Sequence, residues 1–148
     1  MSSRKSGAVV KKNERVLYRI IDANYNRSKE ALRVIEDVIR FSNRGSRLSS
    51  RLKRARHRLT TTLLSLPVRY GQVLACRDTR TDSGKKSSVC DKKQVTLTDL
   101  LAANLQRSQE SVRVLEECSK TIDVAAAKKF QTLRFDLYEL EKDCLAKF

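Results

Sequence analysis

One proline and four glycines in 148 residues leave this sequence short of turn formers. A fold of many short strands joined by tight turns is therefore disfavoured, and 40% hydrophobic with 33% charged residues suits long helices instead. The four cysteines, Cys76, Cys90, Cys118 and Cys144, contain no CxxC pair, and the single histidine, His57, is far from all of them in sequence. That spacing argues against a zinc site. It leaves cysteines at helical positions as small core residues with reduced thiols, and a Cys76–Cys90 bridge inside the central loop as the alternative. No signal-peptide pattern opens the chain and no apolar run approaches the roughly 20 residues that cross a bilayer, so a cytoplasmic protein without a membrane partner is expected. Acidic residues are scarce in the first half: residues 1–74 hold 18 basic against 5 acidic side chains, whereas residues 99–148 hold 8 against 9, within a net charge of +15. Such asymmetry implies an anionic partner, whether nucleic acid, anionic lipid or a small phosphorylated compound.

What the sequence does contain is period. After a basic, Ser-rich, aperiodic stretch over residues 1–12, expected to be a flexible tail, Leu17, Ile21, Asn24, Ser28, Ala31, Ile35 and Val38 recur at alternating steps of 4 and 3. This predicts one face of a helix from about Asn13 to Asn43, with Gly45 as its stop. Leu48, Leu52, Ala55, Leu59, Leu63 and Leu66 predict a second helix, closed by Pro67. Residues 67–95, PVRYGQVLACRDTRTDSGKKSSVCDKKQV, keep no sustained period and are expected to form a long loop, a length that is usually functional or disordered. Thr96 or Thr98 then caps a third helix with Leu97, Leu101, Asn104, Ser108, Ser111, Leu115 and Cys118 on its stripe. An Asp123 cap opens a fourth, with Ala126, Phe130, Leu133, Leu137, Leu140 and Cys144 facing inward.

The helical stretches repeat. ANYNRSKEALRVIED, from Ala23 to Asp37, and ANLQRSQESVRVLEE, from Ala103 to Glu117, agree at eight of fifteen positions. RARHRL after the first copy resembles TLRFDL after the second. The expected fold class is all-α: one helical domain over 13–148, in which repeat one (13–66) and repeat two (96–148) are helical hairpins packed as a four-helix bundle.

Within each copy two layers separate. Asn24 and Ser28 fall in the centre of the apolar stripe, and Arg27 on its shoulder, about 60° from Asn24. Asn104, Arg107 and Ser108 repeat this inward notch. A buried Arg or Asn must meet an acid, backbone, water or a ligand. A satisfied polar layer that fixes register and a phosphate-gripping pair of arginines both stay open. Glu30, Arg33 and Glu36, with Glu110, Arg113 and Glu116, fall outward as ordinary helix-surface pairs. In the loop, Arg77, Arg80, Lys85 and Lys86 could neutralise phosphate and Asp78 and Asp82 could hold magnesium, although RDTRTDSGKK is no P-loop. Arg47, Arg51, Arg54 and Arg58 form a basic stripe on the second helix that could follow a nucleic-acid backbone, but no zinc finger, clear helix-turn-helix or aromatic stacking set accompanies it. His57 reads as a structural or surface residue.

Together, RIIDANYNRSKEALRVIEDVIRF, RDTRTDSG and ANLQRSQESVRVLEE, in that order, resemble a small helical domain of thiamine biosynthesis that occurs alone or ahead of thiamine-phosphate synthase. The resemblance spans about Val16 to Leu140 and is to a family described as a monofunctional hydroxymethylpyrimidine-phosphate kinase. It implies ATP- and magnesium-dependent phosphorylation of the pyrimidine monophosphate to the pyrophosphate, with a separate thiamine-phosphate synthase as the consumer. It also implies Asn24, Arg27, Glu30, Arg33, Asn104, Arg107, Glu110, Arg113 and Gly84 as binding residues, and Arg77, Asp78 and Asp82 as catalytic ones, the two aspartates also as metal ligands. Ser83 departs from the Val or Pro expected before that glycine. A non-catalytic partner of the synthase, a nucleic-acid-binding bundle and a homodimer that completes a site between subunits remain as alternatives.

Overall fold

Four of the helices exist to bury the stripes read above. The computed structural model describes the backbone of residues 3–86 and 95–148, and the side chains of residues 12–85 and 95–148. The chain forms α1 (Ser3–Phe41), α2 (Ser46–Leu64), α3 (Tyr70–Ala75), a 3-10 turn at Ser83–Lys86, α4 (Leu97–Ser119) and α5 (Val124–Leu145). No strand occurs among the described residues. Cys90 with its pairing to Cys76, the other loop positions of 87–94, the Lys86 side chain, and Met1 and Ser2 lie outside them.

Helical backbone begins ten residues before the expected Asn13. The stretch from Ser3 to Lys12 contains no proline, and its one glycine, Gly7, costs a helix only about 1 kcal/mol; lack of period means only that no face is marked for burial. The stop after α1 is also different from the expected Gly45. Asn43 adopts φ 54, with the Arg44 N–H donating to the Ile39 carbonyl and the Asn43 N–H to that of Arg40, a Schellman closure. Gly45, at φ 152, instead turns the chain into α2. Two expected caps are in place. The Thr96 hydroxyl accepts the Asp99 N–H and the Asp99 carboxylate accepts the Thr96 N–H, while Asp123 accepts from Ala125.

Helix direction follows from the cross-links. Arg51 pairs with Asp143 and Arg58 with Asp136, so α2 and α5 run antiparallel. Glu36–Arg56 and Tyr25–Thr60 give the same sense for α1 and α2, and Glu116–Arg134 with Gln109–Glu141 for α4 and α5. It follows that α1 and α4 are antiparallel too. Ser28 meets Ser108, its own repeat counterpart, and Arg58 meets its counterpart Asp136. A pseudo-two-fold axis therefore passes between the two hairpins, and the bundle is the duplicated structure the repeat predicts.

The core is Leu, Ile and Phe130 from all four long helices, and each of Leu48, Leu52, Ala55, Leu59, Leu63 and Leu66 is buried. Leu97 is not part of it: as the first residue of α4 it is 57% exposed, and the buried stripe starts at Leu101. Glu36 and Glu116 are corrections of larger consequence. Both lie inside, 4% and 1% exposed, because a helix with neighbours on two sides buries a wider arc than one stripe. Glu36 accepts from Arg56 Nε at 3.0 Å, and Glu116 from Arg134 Nε at 2.7 Å. These arginines occupy matching places in RARHRL and TLRFDL, so the duplication copied a buried ion pair.

Candidate functional site

Asn24 and Ser28 are buried as their place in the stripe demands, and the helix backbone satisfies them. Asn24 donates to the Ile20 carbonyl at 2.9 Å, and Asn104 to that of Leu100 at 2.8 Å. Ser28 donates to the Ser108 carbonyl at 3.5 Å, across the pseudo-two-fold. Backbone bonds thus account for the donors of all four residues, Ser108 giving its own to the Leu105 carbonyl, and only Ser28 to Ser108 crosses between helices. Arg27 and Arg107 do not join it. Both are exposed, and neither guanidinium has a hydrogen bond or ion pair among the described residues.

Arg27 opens instead onto a cleft of about 550 Å³ between α1 and the chain after α3. Asn24, Arg27 and Glu30 line it from the first repeat, and Arg77, Asp78 and Asp82 from the RDTRTD segment. Residues more than 45 positions apart are thereby gathered into one concave site. Arg19 and Asp22, which open the RIIDANYNRSK motif but are not among the expected site residues, line it as well.

The RDTRTD segment is held by Asp22. This carboxylate, 4% exposed, receives Arg77 through a two-bond fork, Nε to Oδ2 at 2.7 Å and Nη2 to Oδ1 at 2.8 Å. The contact keeps Arg77 charged far above its ordinary range. Arg19 adds a longer bond of 3.4 Å to the Asp78 carbonyl. Asp78 then folds the next residues around itself, accepting the Arg80 and Thr81 N–H groups at 3.0 and 3.1 Å and the Thr81 hydroxyl at 2.5 Å. The Thr81 hydroxyl, then its N–H, hold the carboxylate below the usual range. Asp82 uses one oxygen to accept the Gly84 N–H at 2.9 Å, so Gly84 supports the site without lining it.

A second, smaller cleft of about 460 Å³ adjoins the first, lined by Asn26, Lys29, Glu30, Arg33 and Arg56. Asn26 and Glu30 belong to both. Arg33 sits here and not with Arg27, its guanidinium 3.6 Å from Glu36. Asn104, Arg107, Glu110 and Arg113 lie elsewhere, on α4, and line neither cleft. Of the basic stripe on α2, Arg51 and Arg58 are paired with acids of α5, which halves the charge free to follow a nucleic-acid backbone.

Asp22, Arg19 and Lys29 could have been found from where the repeat fails. Their counterparts eighty residues on are Ala102, Asp99 and Gln109. These three differ between the copies and face the loop or its neighbouring cleft, whereas Asn24, Arg27, Glu30 and Arg33 are repeated.

Among the described residues no three His, Cys, Asp or Glu side chains converge as a protein-built metal cage. A magnesium ion brought in by phosphates needs only one or two carboxylates. Asp82, with one oxygen unengaged, and Glu30, which no described residue bonds, fit that requirement better than Asp78, whose two oxygens are already accepting.

An all-helical domain with an arginine- and carboxylate-lined cleft on one half of an internal duplication is the class that fold and site define. Residues 19–143 match the ThiD2 family, and the chain belongs to that family, a helical domain of thiamine biosynthesis. Similar proteins include a thiamine-phosphate synthase of Synechococcus sp. (strain CC9605), 39% identical over 130 residues that make up 86% of this chain and 35% of that protein. One from Nostoc punctiforme is 33% identical over 89% of this chain and 36% of its own, and one from Rhodopirellula baltica 34% identical over 84% and 33%. The chain thus spans about a third of the length of these relatives. No solved structure matches it, and no helix of the described residues is long and apolar enough to cross a membrane.

Proposed function

We propose that the protein is a phosphotransferase that converts hydroxymethylpyrimidine phosphate to its pyrophosphate with ATP. The observation that carries this reading is the single cleft in which Asn24, Arg27 and Glu30 meet Arg77, Asp78 and Asp82. Transfer of a phosphoryl group calls for positioned cations and excluded water more than for a protein nucleophile. In this reaction an oxygen of the pyrimidine's phosphate attacks the γ-phosphorus, its bond to the β-phosphate oxygen breaks, and ADP leaves. With both reactants fully deprotonated the charge balances and no proton is released, so no general base is required.

The roles follow from which groups are unengaged. Arg27 is the cation free to grip a phosphate, and Arg19 reaches the same cleft. Arg77 lines the cleft but is bound to Asp22, so its part is to hold the RDTRTD segment in place. Asp82 and Glu30 would hold magnesium, which when bound offsets the charge of the phosphates.

The test is direct. Purified protein with hydroxymethylpyrimidine phosphate, ATP and magnesium should release ADP and form the pyrimidine pyrophosphate at equal rates, and Arg27→Ala should slow both. A folded protein that forms neither product would refute the reading. The coverage of one third of each synthase favours a second one, a non-catalytic partner of a thiamine-phosphate synthase. It predicts no turnover alone and a change in synthase rate when the chain is added.

A further inference from the structure

We propose that both phosphorylated reactants bind on the first repeat, the polyphosphate in the larger cleft and the monophosphate in the adjoining one, and that the second notch binds neither. The assignment of reactants and the argument from distance rest on the kinase reading; the argument from charge for one repeat does not.

Distance is the first argument. Direct transfer needs the attacking oxygen and the phosphorus within roughly 3–3.5 Å. Clefts that share Asn26 and Glu30 allow two ligands to meet at a common wall. The two notches share no such wall, since no residue of the second notch lines either cleft.

Charge is the second. In the first repeat Lys29 is exposed above the Tyr25 ring, 5.5 Å from its centre, with its ammonium open to the smaller cleft. Arg33, 55% exposed, has only the 3.6 Å contact to Glu36. In the second repeat the counterpart of Lys29 is Gln109, buried and bonded to Glu141 at 2.8 Å. Arg113 is held between Glu116 and Glu117 at 2.9 and 2.8 Å. Asp99 and Ala102 stand where the first repeat has Arg19 and the Asp22 anchor of Arg77. Three cations, Arg27, Lys29 and Arg33, face the clefts on one side; on the other Arg107 alone stands without an ion pair, and it lines neither cleft.

Which reactant goes where follows from the acids. A nucleotide polyphosphate carries magnesium, and the metal-capable Asp82 lines only the larger cleft, together with Arg19 and Arg27. The smaller cleft offers Lys29 and Arg33, enough for one phosphate, and Glu30 at the shared wall.

Three single variants, Arg27→Ala, Lys29→Ala and Arg107→Ala, remove exposed side chains, and circular dichroism melting confirms that each is folded. Arg27 and Arg107 occupy the same repeat position, so each controls for the other. Calorimetric titration with inorganic tripolyphosphate should weaken about tenfold in Arg27→Ala and stay within about twofold in Arg107→Ala. In steady-state assays Arg27→Ala should raise KM for ATP, and Lys29→Ala KM for the pyrimidine phosphate alone. Equal loss of tripolyphosphate binding in Arg107→Ala, or no loss in Arg27→Ala, would overturn the placement. If the wild-type protein has no turnover the kinase reading fails, while loss of tripolyphosphate binding in Arg27→Ala alone still supports a one-sided site. A raised KM for ATP in Lys29→Ala would reverse the assignment of the clefts.

Discussion

Asp22 contributes a nearly inaccessible carboxylate and Arg77 a guanidinium that is 40% exposed, and their fork joins the chain after α3 to α1. The two ends of this pair are not equivalent. Arg77→Ala leaves a buried anion with only Asn26 Nδ2 at 3.3 Å, whereas Asp22→Asn leaves a cation that can turn to solvent. Arg77→Ala should therefore cost about 2 kcal/mol, at the low side for a broken buried pair because water can reach the site. Asp22→Asn should cost about 1 kcal/mol. For a domain of this size the former lowers Tm by roughly 4–8 °C, and trypsin should cut both variants faster at Arg80 and Lys85. Equal melting of the two variants would show that water already screens Asp22. A second residue-scale expectation concerns alkali. Burial pushes the Cys144 thiol from its ordinary 9.0 up to about 12. An unfolded chain loses that proton first, so this contribution is complete below pH 9.0 and disappears as pH rises toward about 12. Native protein at pH 8 should accept iodoacetamide at Cys144 only after denaturant is added.

At the scale of elements, the sequence marks faces better than it marks neighbours. The stripes on α1, α2, α4 and α5 are visible because a 3.5-residue spacing depends on one helix alone, and the burial of Asn24, Ser28, Asn104 and Ser108 follows from their place in it. Glu36 and Glu116 read as surface residues because a single-helix projection does not contain the second neighbour whose Arg56 or Arg134 meets them. Arg27 misleads in the opposite direction: its position on the shoulder of the stripe is right, yet the shoulder opens to the cleft. The Asp22–Arg77 fork joins residues 55 apart with no repeat to mark it; both lie in the motifs that carry the family resemblance, and the mismatch with Ala102 singles out Asp22, but nothing in the sequence pairs the two. The copied ion pair allows a paired prediction. Glu116 accepts two bonds from Arg134 and one from Arg113, whereas Glu36 has one contact from Arg56 at 3.0 Å and a longer one from Arg33. Glu116→Gln should destabilise by about 3 kcal/mol and Glu36→Gln by about 1–2 kcal/mol. Urea midpoints in the same buffer rank them, and a larger loss at Glu36 would mean that the α1–α2 pair is the more desolvated one.

The molecule as a whole carries a net charge of +15, concentrated in its first half, and neutralises part of it across the α2–α5 seam through Arg51–Asp143 and Arg58–Asp136. What remains repels itself in the folded state. Raising sodium chloride from 20 to 200 mM should therefore raise Tm by a few degrees, because the screening length falls to about 8–10 Å near physiological ionic strength. Pyrophosphate tests for a site beyond that screening. At matched ionic strength a bound anion adds stability that keeps growing with the logarithm of its concentration above Kd, about 1.4 kcal/mol at ten times Kd. Screening adds nothing further. The wild-type protein should melt higher in pyrophosphate than in chloride. Arg27→Ala should keep the chloride response, which belongs to the whole charge, and lose most of the pyrophosphate increment, which belongs to the cleft. Melting curves in the two salts that coincide at every ionic strength would mean that the basic excess is a diffuse field and that the cleft does not bind phosphate.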